Sequence, residues 1–478
     1  MSLTDPSLAG ILDALRALLG PAGVVTAPDV TARYLVDQRE FVQGTSPAVL
    51  RPASTQEVAE AVKIIAAAGL GVVPQGGNTN YCGGATPDRS GHQFVMSLER
   101  MNAIRSVDPL GFTLSVDAGV ILADAQAAAA REGLMLPMSL GSEGSCRVGG
   151  NVGTNAGGLS VLRYGMTRDL VLGIEAVLAD GSILNDMRRL RKNNTGYDVK
   201  QAFIGGEGTL GIVTGVVFKL IPAPTHHATG WLQLAENPPL AQMLALVRRE
   251  TADLVSSFEY ITPGSLALVS ADPAAAGLGT GAGGVLLVEL SAASARVPVE
   301  DILAGTIEQM AEQGWVTDAF MAQGDRQRTD MWRLRETIPE GEKKAGGSVK
   351  HDISVPISEL NTFIAQGGAA VAAYDPSLRL SFYGHVGDGN LHYNVLVPAG
   401  EDRLAFSARI DHELAPRLYD IAASLGGTFS AEHGVGRFKR HLLDHYSDPA
   451  RRDLMRRIKT AYDPANTMNA GAVVDPLT

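Results

Sequence analysis

Apolar residues between positions 8 and 19 recur every three or four positions, which is the spacing of one helix face. Thr4-Asp5-Pro6 precedes this stripe and Gly20-Pro21 follows it, so the pattern predicts a first helix between these signals. Ser54-Thr55-Gln56-Glu57 has the form of a capping box and predicts a second helix. Short apolar runs at 48–51 and 71–73 flank that helix, which indicates a strand–helix–strand unit.

The apolar pattern changes near residue 222. A strand-like run over 211–221 closes with Pro222 and Pro224, and we place the main domain boundary there. Beyond it, helical and strand-like segments follow one another in a pattern typical of an α+β domain. The predicted helices lie near 299–313, 358–373, 404–424 and 449–461, and the predicted strands near 285–290, 348–355 and 380–397.

Composition excludes several classes of protein. The chain has 478 residues and two cysteines, Cys82 and Cys146, which excludes a disulfide scaffold and a cysteine-rich zinc ribbon. A net charge of −11, from 40 basic and 51 acidic residues, opposes general binding to nucleic acid. No apolar run reaches about 18 residues, so no membrane-spanning helix is expected. The first ten residues lack the pattern of a signal or transit peptide, and we expect a cytoplasmic protein.

Two glycine-rich stretches, 74–80 and 149–158, also contain Asn, Thr and Ser. Glycine lets the backbone approach a ligand closely and point its N–H groups at phosphate oxygens. The stretches therefore indicate a large phosphate-bearing cofactor, with tight turns in a glycine-rich chain as the alternative. Gly206-Glu207-Gly208-Thr209-Leu210-Gly211 matches the dinucleotide fingerprint, but strand-like residues follow it where that fingerprint needs a helix. We therefore exclude a nicotinamide site of the Rossmann type.

Two histidines flank a predicted hairpin turn at Asp388-Gly389. A hairpin centred there places His385 directly opposite His392 and Tyr383 opposite Asn394, with all four side chains on one face. Opposed Cβ atoms lie about 5 Å apart, so the two imidazoles could share one metal ion. The alternative is that both are ordinary hydrogen-bonded strand residues.

A third metal ligand is available in Ser430-Ala431-Glu432-His433-Gly434. Two histidines and one carboxylate form a known ligand set for a divalent metal that keeps a position open for substrate. The pair His226-His227 has no comparable context, and we predict that it lies in a solvated connection.

Taken together, these motifs resemble the FAD-linked 2-hydroxyacid dehydrogenases of the vanillyl-alcohol-oxidase (PCMH-type) flavoprotein superfamily. The resemblance rests on the two glycine-rich stretches, G-G-E-G-T-L-G-I-V-T over 205–214, H-V-G-D-G-N-L-H over 385–392 and A-E-H-G-V-G over 431–436. The pattern is most similar to the D-2-hydroxyglutarate dehydrogenase branch. D-Lactate dehydrogenase and the glycolate oxidase FAD subunit are near relatives of that branch.

The resemblance implies an α+β fold with two main domains. An N-terminal helical segment over 1–44 leads into a PCMH-type FAD-binding domain of two subdomains over 45–222. A substrate- and metal-binding FAD-oxidase domain with an antiparallel sheet follows over 223–478.

The resemblance also implies non-covalent FAD, because Asn78, Thr79 and Asn80 stand in the loop where some relatives attach the flavin to a histidine. The residues expected to bind this cofactor are Pro74, Gly76, Gly77, Asn78, Thr79, Asn80, Pro137, Gly144, Gly149, Gly150, Asn151, Gly153, Thr154, Asn155, Gly158, Gly211, Ile212, Val213 and Asn469.

The implied reaction is metal-assisted oxidation of a D-2-hydroxyacid, first of all D-2-hydroxyglutarate to 2-oxoglutarate, by hydride transfer from C2 to flavin N5. The residues that match the family's site are His385, His392 and Glu432 as ligands of zinc or another divalent metal, His433 as catalytic base and substrate contact, and Arg335, Lys350 and Asn394 as further substrate contacts.

Several alternatives stay open. Pro339 stands where the hydroxyglutarate branch can show a threonine near the substrate, so D-lactate, glycolate and D-malate remain candidate substrates. Asn469-Ala470-Gly471 also varies a family Asn-Pro-Gly. A metal-dependent hydrolase and a non-catalytic flavin-binding subunit are alternatives of other classes. The implied partners are an electron acceptor, such as an electron-transfer flavoprotein or a quinone, and a second copy of the chain in a homodimer.

Overall fold

The computed structural model describes residues 6–269, 273 and 278–477. These form two compact units, each taken here by itself. The first unit comprises the described parts of 1–157, 166–223 and 432–478, and the second comprises 158–165 and 224–431. The sequence predicts one boundary after residue 222. The chain changes unit between residues 223 and 224, and also after residues 157, 165 and 431.

Helices and strands are numbered separately along the chain. The helices are α1 (Pro6–Leu19), α2 (Pro28–Leu35), α3 (Thr55–Ala67), α4 (Leu122–Ala130), α5 (Val148–Thr154), α6 (Val161–Tyr164), α7 (Thr167–Leu170), α8 (Lys200–Phe203), α9 (Leu240–Glu250), α10 (Pro263–Leu266), α11 (Val299–Glu312), α12 (Asp325–Glu336), α13 (Ile338–Lys344), α14 (Leu360–Tyr374), α15 (Arg403–Glu413), α16 (Ala415–Ser424), α17 (Arg440–Tyr446) and α18 (Pro449–Tyr462).

Most strands of the first unit are short, and most strands of the second unit are longer. The strands are β1 (Val24–Val25), β2 (Val49–Leu50), β3 (Gly71–Gln75), β4 (Gln93–Ser97), β5 (Ile104–Asp108), β6 (Thr113–Asp117), β7 (Leu134–Met135), β8 (Val171–Val177), β9 (Ile183–Asp186), β10 (Ile212–Lys219), β11 (Ile221–Pro222), β12 (His226–Leu234), β13 (Val255–Ile261), β14 (Val285–Ala292), β15 (Val316–Met321), β16 (Ser348–Val349), β17 (Asp352–Ser354), β18 (Leu380–His385) and β19 (Asn390–Leu396).

The first unit contains two main sheets. One has the order β1-β2-β4-β3, in which β2 and β3 both run parallel to β4. The other is antiparallel, in the order β5-β6-β10-β8-β9. The predicted strand–helix–strand unit is present as β2, α3 and β3. At the start of α3, Ser54 Oγ accepts a hydrogen bond from the backbone N–H of Glu57 (3.2 Å), as a helix cap does.

The second unit is built on an eight-stranded antiparallel sheet. Its strand order is β15-β12-β14-β13-β18-β19-β16, and β17 also pairs with β19. Met331 and Leu334 of α12 belong to the same buried cluster as Trp231, Leu287 and Tyr383 of this sheet. Burial of such large apolar side chains is the main favourable contribution to folding, and it fixes α12 against one face of the sheet.

One predicted helix and one predicted connection of the second unit are wrong. The single helix expected over 404–424 is two helices, because Pro416 lacks the N–H that a continuous helix needs and instead occupies the first turn of α16. His226 and His227 do not lie in a solvated connection. They begin β12, paired with Ala292 and Ser291 of β14.

The predicted first helix is present as α1, and its predicted cap at Thr4-Asp5 lies outside the described residues. The strand-like run that was expected to end near residue 222 is present as β10 and β11. Within the described part of the chain, none of the helices has both the length and the apolar character needed to cross a membrane.

Candidate active site

The hairpin that carries His385 and His392 has a different register from the one predicted. Tyr383, not His385, lies opposite His392, and Ser381, not Tyr383, lies opposite Asn394. The turn is longer than two residues, because one turn of 3₁₀ helix over Val386–Asp388 precedes Gly389, whose φ is +82°. On the other side of β18, His385 pairs with Glu259 of β13.

The two imidazoles are nevertheless close together. A register shift of two residues keeps every side chain on its original face, because side chains alternate along a strand. The ring centroids of His385 and His392 lie 5.4 Å apart, with the rings nearly perpendicular. One ligand atom from each histidine and one from Glu432 all lie within 4.8 Å of one another. The predicted two-histidine, one-carboxylate set is thus brought together.

Glu432 is positioned by the segment that precedes it. Thr428 forms a bridge with Ser354 at the end of β17, and the N–H of Ala431 donates to the carbonyl of Asp352 (3.2 Å). Asp352 itself is buried and lies opposite His392 across the β17–β19 pair. The predicted carboxylate ligand is therefore attached next to the strand that pairs with one of the predicted histidine ligands.

A buried carboxylate that the sequence analysis missed contacts His385. Glu259 Oε1 lies 2.5 Å from Nδ1 of His385, and Glu259 Oε2 accepts a hydrogen bond from Nε of Arg335 (2.8 Å). Burial alone would raise the pKa of Glu259, but Arg335 and His385, while its ring is protonated, outweigh it and lower the pKa to about 2. Glu259 is therefore ionised at neutral pH and can only accept hydrogen bonds, so Nδ1 of His385 carries the hydrogen.

Helix α12 supplies cations to two carboxylates on the same face of the sheet. Arg335 contacts Glu259, and seven residues earlier Arg328 forms a bidentate pair with Glu289 through Nε (2.7 Å) and Nη2 (2.9 Å). Trp332 Nε1 also donates to Glu289 (2.8 Å). Residues spaced by three, four or seven lie on one face of a helix, which explains how one helix serves both carboxylates.

The predicted substrate contacts Lys350 and Asn394 share a second missed carboxylate. The strand register on both sides of this pair is the same, which places Lys350 opposite Asn394 across the sheet. Glu342 of α13 is 1% exposed and accepts hydrogen bonds from Lys350 Nζ (3.1 Å), Asn394 Nδ2 (2.9 Å) and Ser348 Oγ (2.9 Å). The positive charge of Lys350 is thus balanced from within the protein.

The two predicted glycine loops of the first unit lie against each other. A Cβ atom built on Gly76 would lie 3.5 Å from the backbone of Gly150, and one on Gly77 would collide with the carbonyl of Ser145. Gly150 and Gly153 of α5 have no heavy atom within 4 Å of such a Cβ, so this part of the backbone is open to a ligand. A large cofactor can therefore approach the backbone closely at Gly150 and Gly153.

Three asparagines that were expected to bind the cofactor instead hold the backbone. Asn78 Nδ2 donates to the carbonyl of Val36 (2.8 Å), and Asn155 Oδ1 accepts from the N–H of Arg168 (2.9 Å). Asn469 is buried, and its Nδ2 donates to the carbonyls of Gly84 and Glu207 (both 2.8 Å). The donors expected to face phosphate thus fix the shape of the loops, and the glycine N–H groups are the better candidates for phosphate contacts.

His433, the predicted base, lies in a segment that two loops of the first unit hold in place. Its ring packs edge-on against Tyr81, with centroids 4.9 Å apart, and its carbonyl accepts from Asn80 Nδ2 (3.2 Å). Glu207 accepts the N–H groups of Val435 and Gly436, both at 2.8 Å, while burial raises its pKa. The segment around Glu207, which matches the excluded dinucleotide fingerprint, therefore holds the turn that follows the predicted base.

The remaining predicted cofactor residues fall into five places. Gly211, Ile212 and Val213 stand at the entry to β10. Gly211 has a φ of +155°, and a Cβ there would lie 2.7 Å from the carbonyl of Val177, so only glycine fits. Along the chain, Pro137 and Gly144 lie between β7 and α5, and Gly158 belongs to the second unit. Pro74 and Thr79 lie in the first glycine loop, and Gly149, Asn151 and Thr154 in α5.

The two missed carboxylates, Glu259 and Glu342, differ in how well the sequence indicates their burial. Glu259 is a charged residue within the strand V-S-S-F-E-Y-I, every position of which is buried, and such an isolated charge indicates a partner. Glu342 precedes Lys343 and Lys344, a pattern that is typical of a solvated helix surface, so the sequence gives no sign of its burial.

Comparison with known proteins gives the same family as the motifs. Residues 46–186 match the model of an FAD binding domain, and residues 226–473 match that of the C-terminal domain of FAD linked oxidases. The chain is 36% identical to mitochondrial D-2-hydroxyglutarate dehydrogenase of Bos taurus over 450 residues, which cover 94% of this chain and 80% of that protein. It is 34% identical to D-2-hydroxyglutarate dehydrogenase of Stutzerimonas stutzeri over 472 residues, covering 98% and 99% of the two chains.

Among solved structures, a substrate-bound p-cresol methylhydroxylase superposes with a TM-score of 0.77 at 19% identity, covering 99% of this chain and 98% of that one. This likeness confirms the predicted PCMH-type fold, and the matched domain confirms FAD as the cofactor. The chain therefore belongs to the FAD-linked oxidase family, alongside the D-2-hydroxyglutarate dehydrogenases to which its sequence is similar.

Proposed function

We propose that this protein oxidises a D-2-hydroxyacid to the 2-oxoacid, with D-2-hydroxyglutarate as the first candidate substrate. The observation that carries the proposal is the convergence of His385, His392 and Glu432 within 4.8 Å, with a buried carboxylate on one of the imidazoles. The names of the relatives in cattle and in Stutzerimonas stutzeri support the choice of substrate.

The ligand set fits a divalent metal such as zinc. Two neutral imidazoles and one carboxylate are a common zinc ligand set at catalytic sites that keep a position open for substrate. His385, His392 and Glu432 would hold the ion. When bound, the metal supplies charge stabilisation for the developing alkoxide of the substrate, and FAD supplies the acceptor for the hydride from C2.

His433 would take the proton of the substrate's 2-hydroxyl group. An imidazole is suited to this task because its pKa lies near neutral pH, and general-base catalysis typically contributes about 10²- to 10⁴-fold in rate. The carbonyl of His433 and the two residues after Gly434 are held by Asn80 and Glu207. The proton acceptor is therefore attached to a fixed stretch of backbone.

Arg335, Lys350 and Asn394 would bind the carboxylates and the hydroxyl of the substrate. A guanidinium carries five N–H donors in a planar fork, so Arg335 can hold Glu259 through Nε and offer further donors to a substrate carboxylate. Its Cζ also lies 4.8 Å from the centroid of the Tyr383 ring, which fixes the plane of the guanidinium. A second cation, Lys350, suits a substrate with two carboxylates.

FAD would be bound without a covalent link, since the first glycine loop offers Asn78, Thr79 and Asn80 and no histidine. The reduced flavin would pass its electrons to an electron-transfer flavoprotein or a quinone. We also propose that the protein is a homodimer and lies in the cytoplasm.

D-Lactate is the second candidate substrate, and one observation favours it. Pro339 occupies the first turn of α13, three residues before Glu342, and offers no hydroxyl group to a substrate. A monocarboxylate needs one contact fewer than a dicarboxylate.

A panel of hydroxyacids with an artificial electron acceptor tests the proposal. We expect the highest kcat/KM for D-2-hydroxyglutarate, lower values for D-malate, D-lactate and glycolate, and no turnover of the L-isomers. A higher kcat/KM for D-lactate would make the second candidate the substrate. A yellow protein that turns over none of these acids would overturn the proposal, and hydrolytic activity in a colourless protein would indicate a metal-dependent hydrolase.

A further inference from the structure

We propose that Glu259 is a positioning residue that prepares two groups of the site at once, the metal ligand His385 and the carboxylate-binding Arg335. The inference rests on the proposed function, because it assumes that His385 binds a metal. It adds a role for a residue of β13 that none of the sequence motifs includes.

Each carboxylate oxygen of Glu259 contacts a different side chain. Oε1 accepts from Nδ1 of His385 (2.5 Å), and Oε2 accepts from Nε of Arg335 (2.8 Å). The carboxylate side chain is 2% exposed, those of His385 and Arg335 are 7% and 9% exposed, and the three therefore interact with little screening by water. One anion thus restrains both the imidazole and the guanidinium.

The contact to His385 determines which ring nitrogen can bind a metal. Because Nδ1 holds its hydrogen toward the carboxylate, Nε2 has the lone pair that a cation requires. Hydrogen bonding to a carboxylate also makes the imidazole a stronger ligand, and loss of such a partner typically lowers metal affinity about 10- to 100-fold. His385 would be a weaker and less well oriented ligand without Glu259.

A second buried carboxylate separates this role from a purely structural one. Glu289 lies two residues beyond Leu287, the residue of β14 that pairs with Glu259, and it also holds an arginine of α12. Its partners are Arg328, Trp332, Thr229 and His227, none of which is a predicted metal ligand. If carboxylates on this face serve only to hold α12, the two glutamates are equivalent. If Glu259 prepares the metal ligand, they are not.

Zinc affinity of the metal-stripped protein, measured by competition with a chromogenic chelator, tests the inference without any turnover. We expect Glu259→Gln to lower the affinity at least tenfold, whereas Glu289→Gln leaves it within twofold of the wild type. Equal affinities in the wild type and Glu259→Gln would overturn the inference, and so would an equal loss in both variants. Failure of the wild type to bind zinc would instead refute the metal site on which the inference rests.

Glu259→Gln leaves Arg335 without its anionic partner in a buried place, and the variant can lose stability for that reason. The double variant Glu259→Gln/Arg335→Gln removes both charges together, so it leaves no unpaired buried charge at this pair. We expect it to show the same tenfold or greater loss of zinc affinity. Zinc affinity equal to that of the wild type in a folded double variant would also contradict the role of Glu259.

Discussion

The ammonium group of Lys350 lies 3.1 Å from the buried carboxylate of Glu342. Glu342 is 1% exposed, whereas about a quarter of the Lys350 side chain is exposed, so one end of the pair is inside the protein and the other is accessible. A substrate carboxylate that approaches Lys350 therefore also experiences the negative charge behind it. If Lys350 binds a substrate carboxylate as proposed, the balance of these two charges would govern how well the site accepts a dicarboxylate.

Replacement of Lys350 by methionine leaves that negative charge uncompensated. We expect Lys350→Met to raise KM for D-2-hydroxyglutarate roughly tenfold more than KM for D-lactate, because a charge-assisted hydrogen bond contributes about 1.5–3 kcal/mol. Steady-state kinetics with both acids measures the difference. Lys344→Met is the matched control, since Lys344 lies on the exposed side of α13 and pairs with Glu340. An equal rise for both acids would show that Lys350 does not bind the second carboxylate.

Removal of the His433 side chain separates cofactor binding from catalysis. The backbone contacts from Asn80 and Glu207 do not involve the imidazole, so His433→Ala should keep its loop and its bound flavin. Without the base, we expect kcat to fall about 10²- to 10⁴-fold. The visible spectrum reports the flavin content, and stopped-flow absorbance reports its reduction. His445→Ala, at an exposed position in α17, should behave as the wild type. Normal turnover by His433→Ala would remove His433 from the mechanism.

Acid stability should depend on Glu289. Burial would raise its pKa, but the His227 imidazole, 3.5 Å away, and the hydrogen bonds and charge of Arg328 outweigh this and lower the pKa from 4.5 to about 2. A carboxyl group with a lowered pKa stabilises the folded state fully above pH 4.5, progressively less as the pH falls from 4.5 to 2, and not at all below that range. This pKa difference corresponds to about 3 kcal/mol of stability at neutral pH.

Denaturant unfolding of Glu289→Gln at several pH values tests this effect. We expect the variant to be less stable at pH 7 by about 3 kcal/mol and to lose less further stability on acidification than the wild type. Glu300→Gln, an exposed neighbour at the start of α11, should match the wild type throughout. A variant whose acid transition parallels that of the wild type would show that Glu289 does not contribute to it.

The site illustrates which parts of a structure local sequence can predict. That His385 and His392 share a face follows from their odd spacing around a turn, and it survives the error in register because a shift of two residues preserves the face. The register itself was mispredicted because a 3₁₀ turn replaces the expected two-residue turn. Turn lengths depend on contacts outside the hairpin, which a local motif does not show.

The carboxylates Glu259 and Glu342 were not predicted for a different reason. Glu259 lies 126 residues before His385 in the chain, and only the strand order β14-β13-β18 makes them neighbours. Pairings over such distances are set by tertiary packing, and local propensity or hydrophobic period carries no information about them. The same holds for Glu342 and Asn394, which are 52 residues apart.

The proposed reaction depends most on the metal that His385, His392 and Glu432 are proposed to hold, and anaerobic reduction of the bound flavin by D-2-hydroxyglutarate tests this dependence most directly. The rate should be compared in zinc-loaded protein, in chelator-treated protein and in Glu432→Gln, with Glu413→Gln as the exposed control. We predict that metal removal and Glu432→Gln each slow flavin reduction by about 100-fold or more while the flavin content stays the same. Reduction at the wild-type rate in the metal-free protein would contradict the account.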